Sequence, residues 1–427
     1  MTYKEARVYL DDMSKYGSVL GLGTIRKLLC ELGNPQDDLK FIHIAGTNGK
    51  GSVLAYTSTI LTKAGYRVGR YVSPTVISYL ERIQVDGTWI SEDAFARLTT
   101  IVHEAIARME SAGETLPTVF EIETAIAFLY FKEQSCDLVV LECGLGGETD
   151  ATNIIEHTLA AVFTSISRDH IGILGDTPEE IAAVKAGIIK PGCTVVTSVQ
   201  QESVMQVLRE RAVQLDCPFL AAQPERLTIL DDRYLGQILS YKEMDSFYCP
   251  LAGRHQAENA MTALETITAL KALGYTITQD AVREGFQSTM WPGRFTCLRR
   301  DPLFFIDGAH NENAALRLRE NLKNYFPGKR IHYIMGVFKD KDYEKIAGIM
   351  GPLASSVHTV DLPDEGRTLP AARLAAVMRK YCVPGALVLA EPDVETAVKH
   401  TLKAADKEDV ILAFGSLSYL GRCLAYM

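Results

Sequence analysis

Short runs of apolar and β-branched residues alternate with helical patterns along most of the chain. Three runs lie in the first half, at residues 41–46, 137–142 and 159–166. Five more follow the sequence WPGRF, at residues 302–308, 330–336, 356–362, 386–390 and 409–415. Such runs, when helices separate them, are typical of parallel strands that are covered on both faces. The pattern therefore predicts an α/β protein with mostly parallel sheets.

The Pro-Gly turn at residues 292–293 is the predicted domain boundary, because the strand pattern restarts just after it. We expect a larger N-terminal domain of residues 1–295 and a smaller C-terminal domain of residues 296–427. The smaller one falls within the usual range of domain sizes. Residues 73–90 have no clean periodicity, and we predict a long functional loop there.

Composition excludes several classes of protein. A net charge of -9 argues against a general basic surface for nucleic acid. No apolar stretch reaches the length of a membrane span, and the charged start of the chain does not resemble a signal peptide. The nine cysteines form no Cys-x-x-Cys pair, which suits free thiols in a reducing compartment. We therefore expect a cytoplasmic protein without nucleic-acid or membrane partners.

The segment HIAGTNGKGS, residues 43–52, is a glycine-rich turn between an apolar run and a helical pattern. Such a turn presents backbone N–H groups at a helix N-terminus, where an anion binds. The spacing is unusual, because Gly51 follows Lys50 and the hydroxyl of Ser52 comes one place later than in the common phosphate loop. We predict that Lys50 meets terminal phosphates and Ser52 meets Mg²⁺. An ordinary glycine turn is the alternative.

Two further residues follow neighbouring predicted strands. Glu142 ends the run 137–142, and His170 follows the run 159–166. Ligands gather at the carboxyl ends of parallel strands, so both side chains are candidates for one metal site. The alternatives are a solvated strand-end glutamate and a structural or exposed histidine.

Lys185 lies on the apolar stripe of a predicted helix. A capping box at Thr177 and Glu180 begins this helix, and Ile181 and Ile188 flank Lys185 on the stripe. A lysine at the edge of such a stripe usually extends its ammonium group to solvent. A lysine within the core needs a partner or altered chemistry. Carbamylation by CO₂ is one such change, since it converts the cation into an anion that binds metal.

Nine ordered segments carry a resemblance to a known family. They are GTNGKGS, FEIETA, LECGLGGETDATN, TSISRDH, VKAGIIKPG, GRHQAENA, WPGRF, DGAHN and GVFKDKD, and FGSLSYL extends the match toward the C-terminus. Together they resemble the folylpolyglutamate synthases, including the bifunctional dihydrofolate synthases, and more distantly the Mur ligases. The offset Gly-Lys-Gly-hydroxyl spacing is the one found in this family.

The resemblance implies roles for individual residues. ATP would be held by Gly46, Thr47, Asn48, Gly49, Lys50, Gly51, Ser52, Asn259, Arg294 and Asp307. Two Mg²⁺ sites would use Ser52, Ser73, Glu142, His170 and a carbamylated Lys185. The catalytic groups would be Lys50, Lys185 and His310, and the pterin pocket would be Thr118, Val119, Phe120, Glu121, Thr149, Asp150 and Ala151. For Asn259 a helix start, and for Asp307 a helix cap, are the structural alternatives.

The resemblance also implies a fold and a reaction. A phosphate-loop N-terminal domain with the folate pocket would face a Rossmann-like glutamate-ligase domain, with ATP in the cleft. Cleft closure would exclude water. The reaction would add L-glutamate to a tetrahydrofolate carboxylate through an acyl phosphate and release ADP and phosphate. Dihydropteroate is a further candidate substrate, and we expect a monomer.

Two positions depart from the family pattern. Thr75 stands where a histidine usually follows the Ser-Pro pair, and Glu148 stands where an arginine often precedes TDATN. Because of these two differences, the resemblance does not indicate which folate is the preferred substrate. One alternative function is a Mur-type ligase acting on a UDP-sugar, although such chains usually carry an added N-terminal domain to hold UDP. The other alternative is a nucleotide-binding protein without ligase activity.

Overall fold

The computed structural model describes residues 1–14, 21–169, 172, 174–364 and 366–426. Its helices are α1 Tyr3–Met13, α2 Gly23–Glu31, α3 Lys50–Lys63, α4 Glu92–Ser111, α5 Val119–Glu133, α6 Pro178–Lys185, α7 Glu202–Gln214, α8 Arg254–Ala272, α9 Gln279–Ser288, α10 Glu312–Tyr325, α11 Tyr343–Met350, α12 Ala371–Tyr381, α13 Val394–Ala404 and α14 Leu417–Leu424. Its strands are β1 Phe41–Ala45, β2 Val68–Tyr71, β3 Ile83–Val85, β4 Thr88–Trp89, β5 Leu138–Glu142, β6 Thr158–Phe163, β7 Thr194–Thr197, β8 Phe219–Ala221, β9 Leu227–Arg233, β10 Gly236–Tyr241, β11 Met244–Cys249, β12 Thr296–Arg300, β13 Leu303–Asp307, β14 Ile331–Met335, β15 Ser356–Thr359, β16 Leu387–Ala390 and β17 Val410–Phe414. Short 3-10 turns connect several of these elements.

The N-terminal sheet has eight strands in the order β4-β3-β2-β5-β1-β6-β7-β8. Six neighbouring strands, from β2 to β8 in that order, are parallel. Strand β1 is fully buried between β5 and β6, as its run of apolar residues predicts. Because β1 is central, the glycine-rich segment that follows it emerges in the middle of the carboxyl edge of the sheet.

The segment of residues 73–90 is not one long loop. Residues 83–89 form the β3–β4 hairpin, which extends the sheet antiparallel to β2. Its turn is Asp86-Gly87, with φ angles of 53° and 79°. An Asp-Gly pair favours this tight turn because both positions need positive φ. The loop prediction is therefore wrong for residues 83–89, where the dipeptide signal outweighs the missing periodicity.

The helix that follows the glycine-rich segment is buried on nearly all sides. Helix α3 packs against α8 and α9 as well as against the sheet, and its Tyr56 ring lies 5.0 Å from that of Phe286. Phe247 of the three-stranded antiparallel sheet β11-β10-β9 stacks on the same Phe286 ring at 4.6 Å. This small sheet was not predicted from the sequence. It closes the core around α3 and so fixes the direction of the helix N-terminus.

The C-terminal sheet has six strands in the order β12-β13-β17-β14-β15-β16. Only β12 is antiparallel to its neighbour, and the other five strands are parallel, as predicted. The predicted fold class, with two α/β sheet domains, is confirmed. The boundary between residues 295 and 296 stays a prediction, and it lies immediately before β12. None of the described helices combines the length and the apolar character that crossing a membrane requires.

Candidate active site

The N- and C-terminal domains meet at a cavity of about 220 Å³. It is lined by twelve residues that the sequence analysis singled out, namely Thr47, Asn48, Gly49, Lys50, Gly51, Ser52, Ser73, Glu142, Asn259, Arg294, Asp307 and His310. Gly46 and Lys185 line a smaller adjoining space of about 30 Å³, which shares Thr47 and Lys50 with the first. His170 lies outside the described residues. The structure thus brings together residues that are far apart in the chain.

The glycine-rich loop is wedged between helix α8 and Trp291. Gly49 has a φ of 94°, and a Cβ added there would lie 2.4 Å from Oδ1 of Asn259. A Cβ at Gly51 would lie 2.7 Å from Nε1 of Trp291. Only glycine fits such close approaches, and at Gly49 only glycine adopts the angle without strain. The loop therefore presents bare backbone to the cavity, as a phosphate site requires.

Lys50 lies folded over its own loop. Its Nζ donates to the carbonyl oxygens of Gly46 and Thr47 at 3.2 and 3.4 Å. The same Nζ lies 4.0 Å from Oε1 of Glu142. The loop is anchored from behind by the segment that follows β6, since the N–H groups of Thr47 and Asn48 both donate to the Ser165 carbonyl oxygen. This arrangement puts a positive charge directly beside the bare backbone of the glycine-rich loop, which we call the cradle.

Ser52 and Glu142 offer oxygen ligands beside Lys50. The hydroxyl of Ser52 is buried and has no hydrogen-bond partner among the described residues. Burial raises the pKa of Glu142, and Lys50 opposes this shift. The backbone N–H of Ser73 donates to the other Glu142 oxygen at 3.3 Å. A lone hydroxyl and a buried carboxylate are the oxygen donors that Mg²⁺ takes, so these residues fit the ion.

The C-terminal domain contributes Asp307, at the end of β13. Its two oxygens accept the N–H groups of Phe295 and Ala309, each at 2.8 Å. Burial raises the pKa of Asp307 to about 6, against the opposing effect of Arg294. The backbone bonds hold the carboxylate across the cavity from the glycine-rich loop.

His310 follows Asp307 by three residues and lines the same cavity. Its Nδ1 lies 2.8 Å from the Gly308 carbonyl oxygen, so Nδ1 is the protonated nitrogen and Nε2 is an acceptor. Burial, with Lys341 adding to the effect, lowers the pKa of His310 to about 4. The imidazole is therefore neutral at physiological pH.

Lys185 is buried, which decides between the two alternatives that its place on the stripe left open. Helix α6 ends at Lys185, and the stripe continues through a 3-10 turn to Ile188. The side chain is only 5% exposed. Burial, with the positive charge of Lys50 adding to the effect, lowers its pKa to about 8. The amine thus faces the space beside Lys50 instead of extending to solvent.

Two contacts between the domains were not assigned from the sequence. Nδ2 of Asn311 donates to Oδ1 of Asn48 at 3.1 Å, and Nζ of Lys341 lies 3.2 Å from Oδ1 of Asp169. The segments DGAHN and GVFKDKD contain Asn311 and Lys341, so the signal was present in the resemblance. Nothing in the local pattern indicated that these side chains reach the other domain.

The two predicted pterin segments lie on either side of Gly144. A Cβ at Gly144 would lie 2.5 Å from the Phe120 ring and 3.1 Å from Oδ2 of Asp150. Their polar groups serve local structure: Glu121 and Thr118 form the capping box of α5, and Asp150 accepts the N–H of Leu145 at 2.7 Å. The remaining three predicted pterin residues, Val119, Thr149 and Ala151, belong to the same two segments. None of the seven lines the 220 Å³ cavity.

Comparisons with known proteins agree with this architecture. The Mur ligase middle domain matches residues 44–267, and the Mur ligase glutamate ligase domain matches residues 293–417. A dihydrofolate synthase/folylpolyglutamate synthase of Bacillus subtilis is 37% identical over 83% of this chain and 84% of its own. A folylpolyglutamate synthase of Lacticaseibacillus casei is 32% identical, with 88% and 89% covered.

Solved structures are similar over nearly the full length. Folylpolyglutamate synthase of Mycobacterium tuberculosis, complexed with ADP and AMPPCP, has a TM-score of 0.89 at 30% identity and covers 99% of this chain and 98% of its own. The E. coli protein FolC, in complex with DHPP and ADP, has a TM-score of 0.87 at 27% identity, with 100% and 97% covered.

Proposed function

The chain belongs to the folylpolyglutamate and dihydrofolate synthase family of the Mur ligases, and from this membership we propose how its cleft performs the ligation. It is an ATP-dependent amide ligase that adds L-glutamate to the carboxylate of a folate. The relatives named above are folate ligases, which favours this activity over the UDP-sugar alternative. A binding protein without ligase activity is disfavoured for the same reason.

One observation carries the assignment of residues. The glycine-rich loop with Lys50 follows β1 of the N-terminal sheet, whereas Asp307 ends β13 of the C-terminal sheet. Both line the 220 Å³ cavity together with Arg294. A nucleotide spanning this cavity would have its phosphates on the loop and its remaining polar groups near Asn259, Arg294 and Asp307. The relatives crystallised with ADP and AMPPCP support a nucleotide in this chain as well.

The first step transfers the γ-phosphate of ATP to the folate carboxylate. The oxygen of that carboxylate attacks phosphorus, the bond to the ADP oxygen breaks, and an acyl phosphate forms. Lys50 lies where it can release the carbonyl oxygens of Gly46 and Thr47 and neutralise the phosphate charge. The loop N–H groups hold the phosphates in position. Positioning and charge neutralisation supply most of the acceleration in such transfers.

Ser52, Ser73 and Glu142 are the residues that would hold Mg²⁺ on the side of Lys50. The bound ion would neutralise phosphate charge as it develops. The buried carboxylate of Glu142 and the unpartnered hydroxyl of Ser52 favour this assignment. A second ion would involve His170, whose position is outside the described residues.

A carbamate on Lys185 would complete the metal side of the cavity. Carbamylation joins the neutral amine to CO₂ and releases one proton. A pKa of about 8 leaves much more neutral amine at physiological pH than an ordinary lysine has. A free ammonium would repel cations held by Glu142, whereas a carbamate supplies hard oxygen ligands. These considerations support Lys185 as a modified, metal-directed residue.

The second step is attack of the glutamate amine on the acyl phosphate. The C–N bond forms, phosphate leaves, and the amine loses a proton. His310 is neutral and its Nε2 is free to accept, so it is our candidate for that proton. Contacts across the cleft, such as Lys341 with Asp169, would help to exclude water that destroys the acyl phosphate.

One assay separates the candidate substrates. ADP release would be followed with tetrahydrofolate plus glutamate, dihydropteroate plus glutamate, and a UDP-sugar plus an amino acid. We expect release with tetrahydrofolate. Release with dihydropteroate as well would make the enzyme bifunctional, and release only with the UDP-sugar would overturn the proposal. We also propose a cytoplasmic monomer that binds neither nucleic acid nor membrane.

A further inference from the structure

Two histidines and a glutamate meet in the C-terminal domain, away from the ATP cavity. His358 lies on β15, Glu391 directly follows β16, and His400 lies on α13. One possible ligand atom from each lies within 4.8 Å of the others. None of the three lines the catalytic cavity. From this cluster we propose that His358, Glu391 and His400 form a binding site for a divalent transition-metal ion, with Zn²⁺ as the best fit.

The three side chains are held by regular secondary structure. The backbone N–H of Glu391 donates to the Thr359 carbonyl oxygen at 2.9 Å, which continues the β15–β16 pairing by one residue. Asp393 caps α13 by accepting the Thr396 N–H at 2.7 Å, which sets where the helix begins relative to Glu391. Ligands on strands and helices keep their geometry better than ligands on loops.

The distances are close to those of a metal site. Nδ1 of His358 lies 2.7 Å from Oε1 of Glu391, and Nδ1 of His400 lies 3.1 Å from the same oxygen. Ligands about 2.0–2.1 Å from a tetrahedral zinc are about 3.3 Å apart. An opening of about half an ångström would therefore admit the ion. His400 is 55% exposed and has room to make that movement.

Hydrogen bonds do not fully satisfy the cluster. His358 is 2% exposed, and its Nε2 is buried without a partner among the described residues. His332, the neighbouring imidazole, is already engaged by Ser356 and Asp409 at 2.8 and 3.1 Å. A buried imidazole nitrogen without a partner is costly. A metal ion bound at Nδ1 would fix the tautomer of His358, with the proton on Nε2.

The donor set selects the class of ion. Two imidazoles and one carboxylate suit Zn²⁺ and its neighbours in the first transition row, whereas Mg²⁺ and Ca²⁺ prefer oxygen donors alone. Metal binding uses the neutral form of each imidazole. Three protein ligands and an exposed side leave a fourth position for water. The ion would join helix α13 to the edge strand of the sheet.

Zinc binding to the full chain tests the proposal. Equilibrium dialysis with ZnCl₂, with Mg²⁺ and ADP present to occupy the nucleotide site, would compare the wild type with His400→Ala and Glu391→Gln. In both variants the Kd of the most tightly bound zinc ion should rise at least about tenfold. Even the loss of a residue that only hydrogen-bonds a metal ligand weakens binding by that factor. His157→Ala, an exposed histidine of the other domain, is the control and should bind as the wild type does.

A second readout identifies the ligands. Co²⁺ in place of Zn²⁺ should give visible absorption of a four-coordinate site in the wild type and not in His400→Ala. Ligase activity should be unchanged in His400→Ala, because His400 is remote from the catalytic cavity. Identical zinc binding in all four proteins, or no saturable zinc binding in the wild type, would overturn the proposal. Because His400 is exposed, misfolding is not expected to imitate a loss of metal.

Discussion

Asn311 donates its side-chain amide to Oδ1 of Asn48 across 3.1 Å, and so connects the C-terminal domain directly to the phosphate loop. The same side chain caps α10, because its Oδ1 accepts the Ala314 N–H at 2.9 Å. One residue therefore fixes the start of a helix and its distance from the loop. Through Asn48, the relative position of the domains is coupled to the shape of the proposed ATP site.

Asn311→Ser should separate these two tasks. Serine caps helices about as well as asparagine, so the fold should keep its stability. Its shorter side chain loses the bond to Asn48, and we expect kcat to fall by about tenfold. Steady-state kinetics and thermal unfolding would be measured together. Asn324→Ser, at the exposed end of the same helix, is the control, and an unchanged kcat in Asn311→Ser would show that the contact between domains is dispensable.

Lys50→Ala should abolish most ligation without unfolding the chain. Among the described residues, the polar contacts of the Lys50 ammonium group are with loop carbonyl oxygens and Glu142, and Lys50 is not part of the buried apolar core. Removing a group that stabilises transition-state charge costs about 10²–10³ in kcat. Circular dichroism and ADP release would be compared with Lys63→Ala, an exposed lysine at the other end of α3. Near-normal turnover of Lys50→Ala would contradict its phosphate role.

Gly49→Ala tests the cradle itself. Gly49 and Gly65 have nearly the same φ, 94° and 92°, but a Cβ at Gly65 meets nothing within 4 Å. Alanine at either position costs about 1–3 kcal/mol of backbone strain. Only Gly49→Ala also displaces Asn259, so only this variant should lose nucleotide affinity. Calorimetric titration with ADP would show the difference, and equal affinities would disprove the cradle assignment.

Glu142→Gln should reduce activity by at least about tenfold while leaving stability equal or higher. Burial raises the pKa of this carboxyl, which means that its charge is disfavoured in the folded state. Glutamine removes the charge at nearly the same volume, but it is a poor ligand for Mg²⁺. Activity across a range of Mg²⁺ concentrations would be compared with exposed Glu110→Gln. Full recovery of activity at high Mg²⁺ would show that Glu142 is not a direct ligand of the ion.

Lys185 should take up CO₂ in a pH-dependent way. Its lowered pKa of about 8 means that the neutral, reactive amine increases as pH rises through 8, whereas an ordinary lysine stays protonated until about 10.4. With ¹³C-bicarbonate, a carbamate signal should therefore be stronger at pH 8.5 than at pH 6.5. Lys185→Ala should lack the signal and lose activity.

Acetate provides the complementary test of Lys185. A short carboxylate can occupy the space that Lys185→Ala leaves in the small cavity, so acetate should restore part of its activity. Wild-type activity of Lys185→Ala without any added carboxylate would contradict the assignment. A bare amine at Lys185 in a high-resolution map from crystals grown with bicarbonate near pH 8 would contradict it equally.

The sequence by itself determined the local parts of this protein. Strand β1, the glycine-rich loop and the capped start of α6 all follow from spacing within about ten residues, and caps and periodicity act over that range. The stripe from Ile181 to Ile188 included Lys185 but left open whether its ammonium group extends to solvent. The structure shows that Lys185 is buried, at the end of its helix.

Only the tertiary structure decided which of these parts meet. Asn48 and Asn311 are 263 positions apart, and no local pattern encodes their contact. The order of strands in each sheet brings them together, as it brings Glu391 beside His358. Sheet order depends on how whole elements bury their apolar faces against one another, which is a property of the assembled core and not of any short segment.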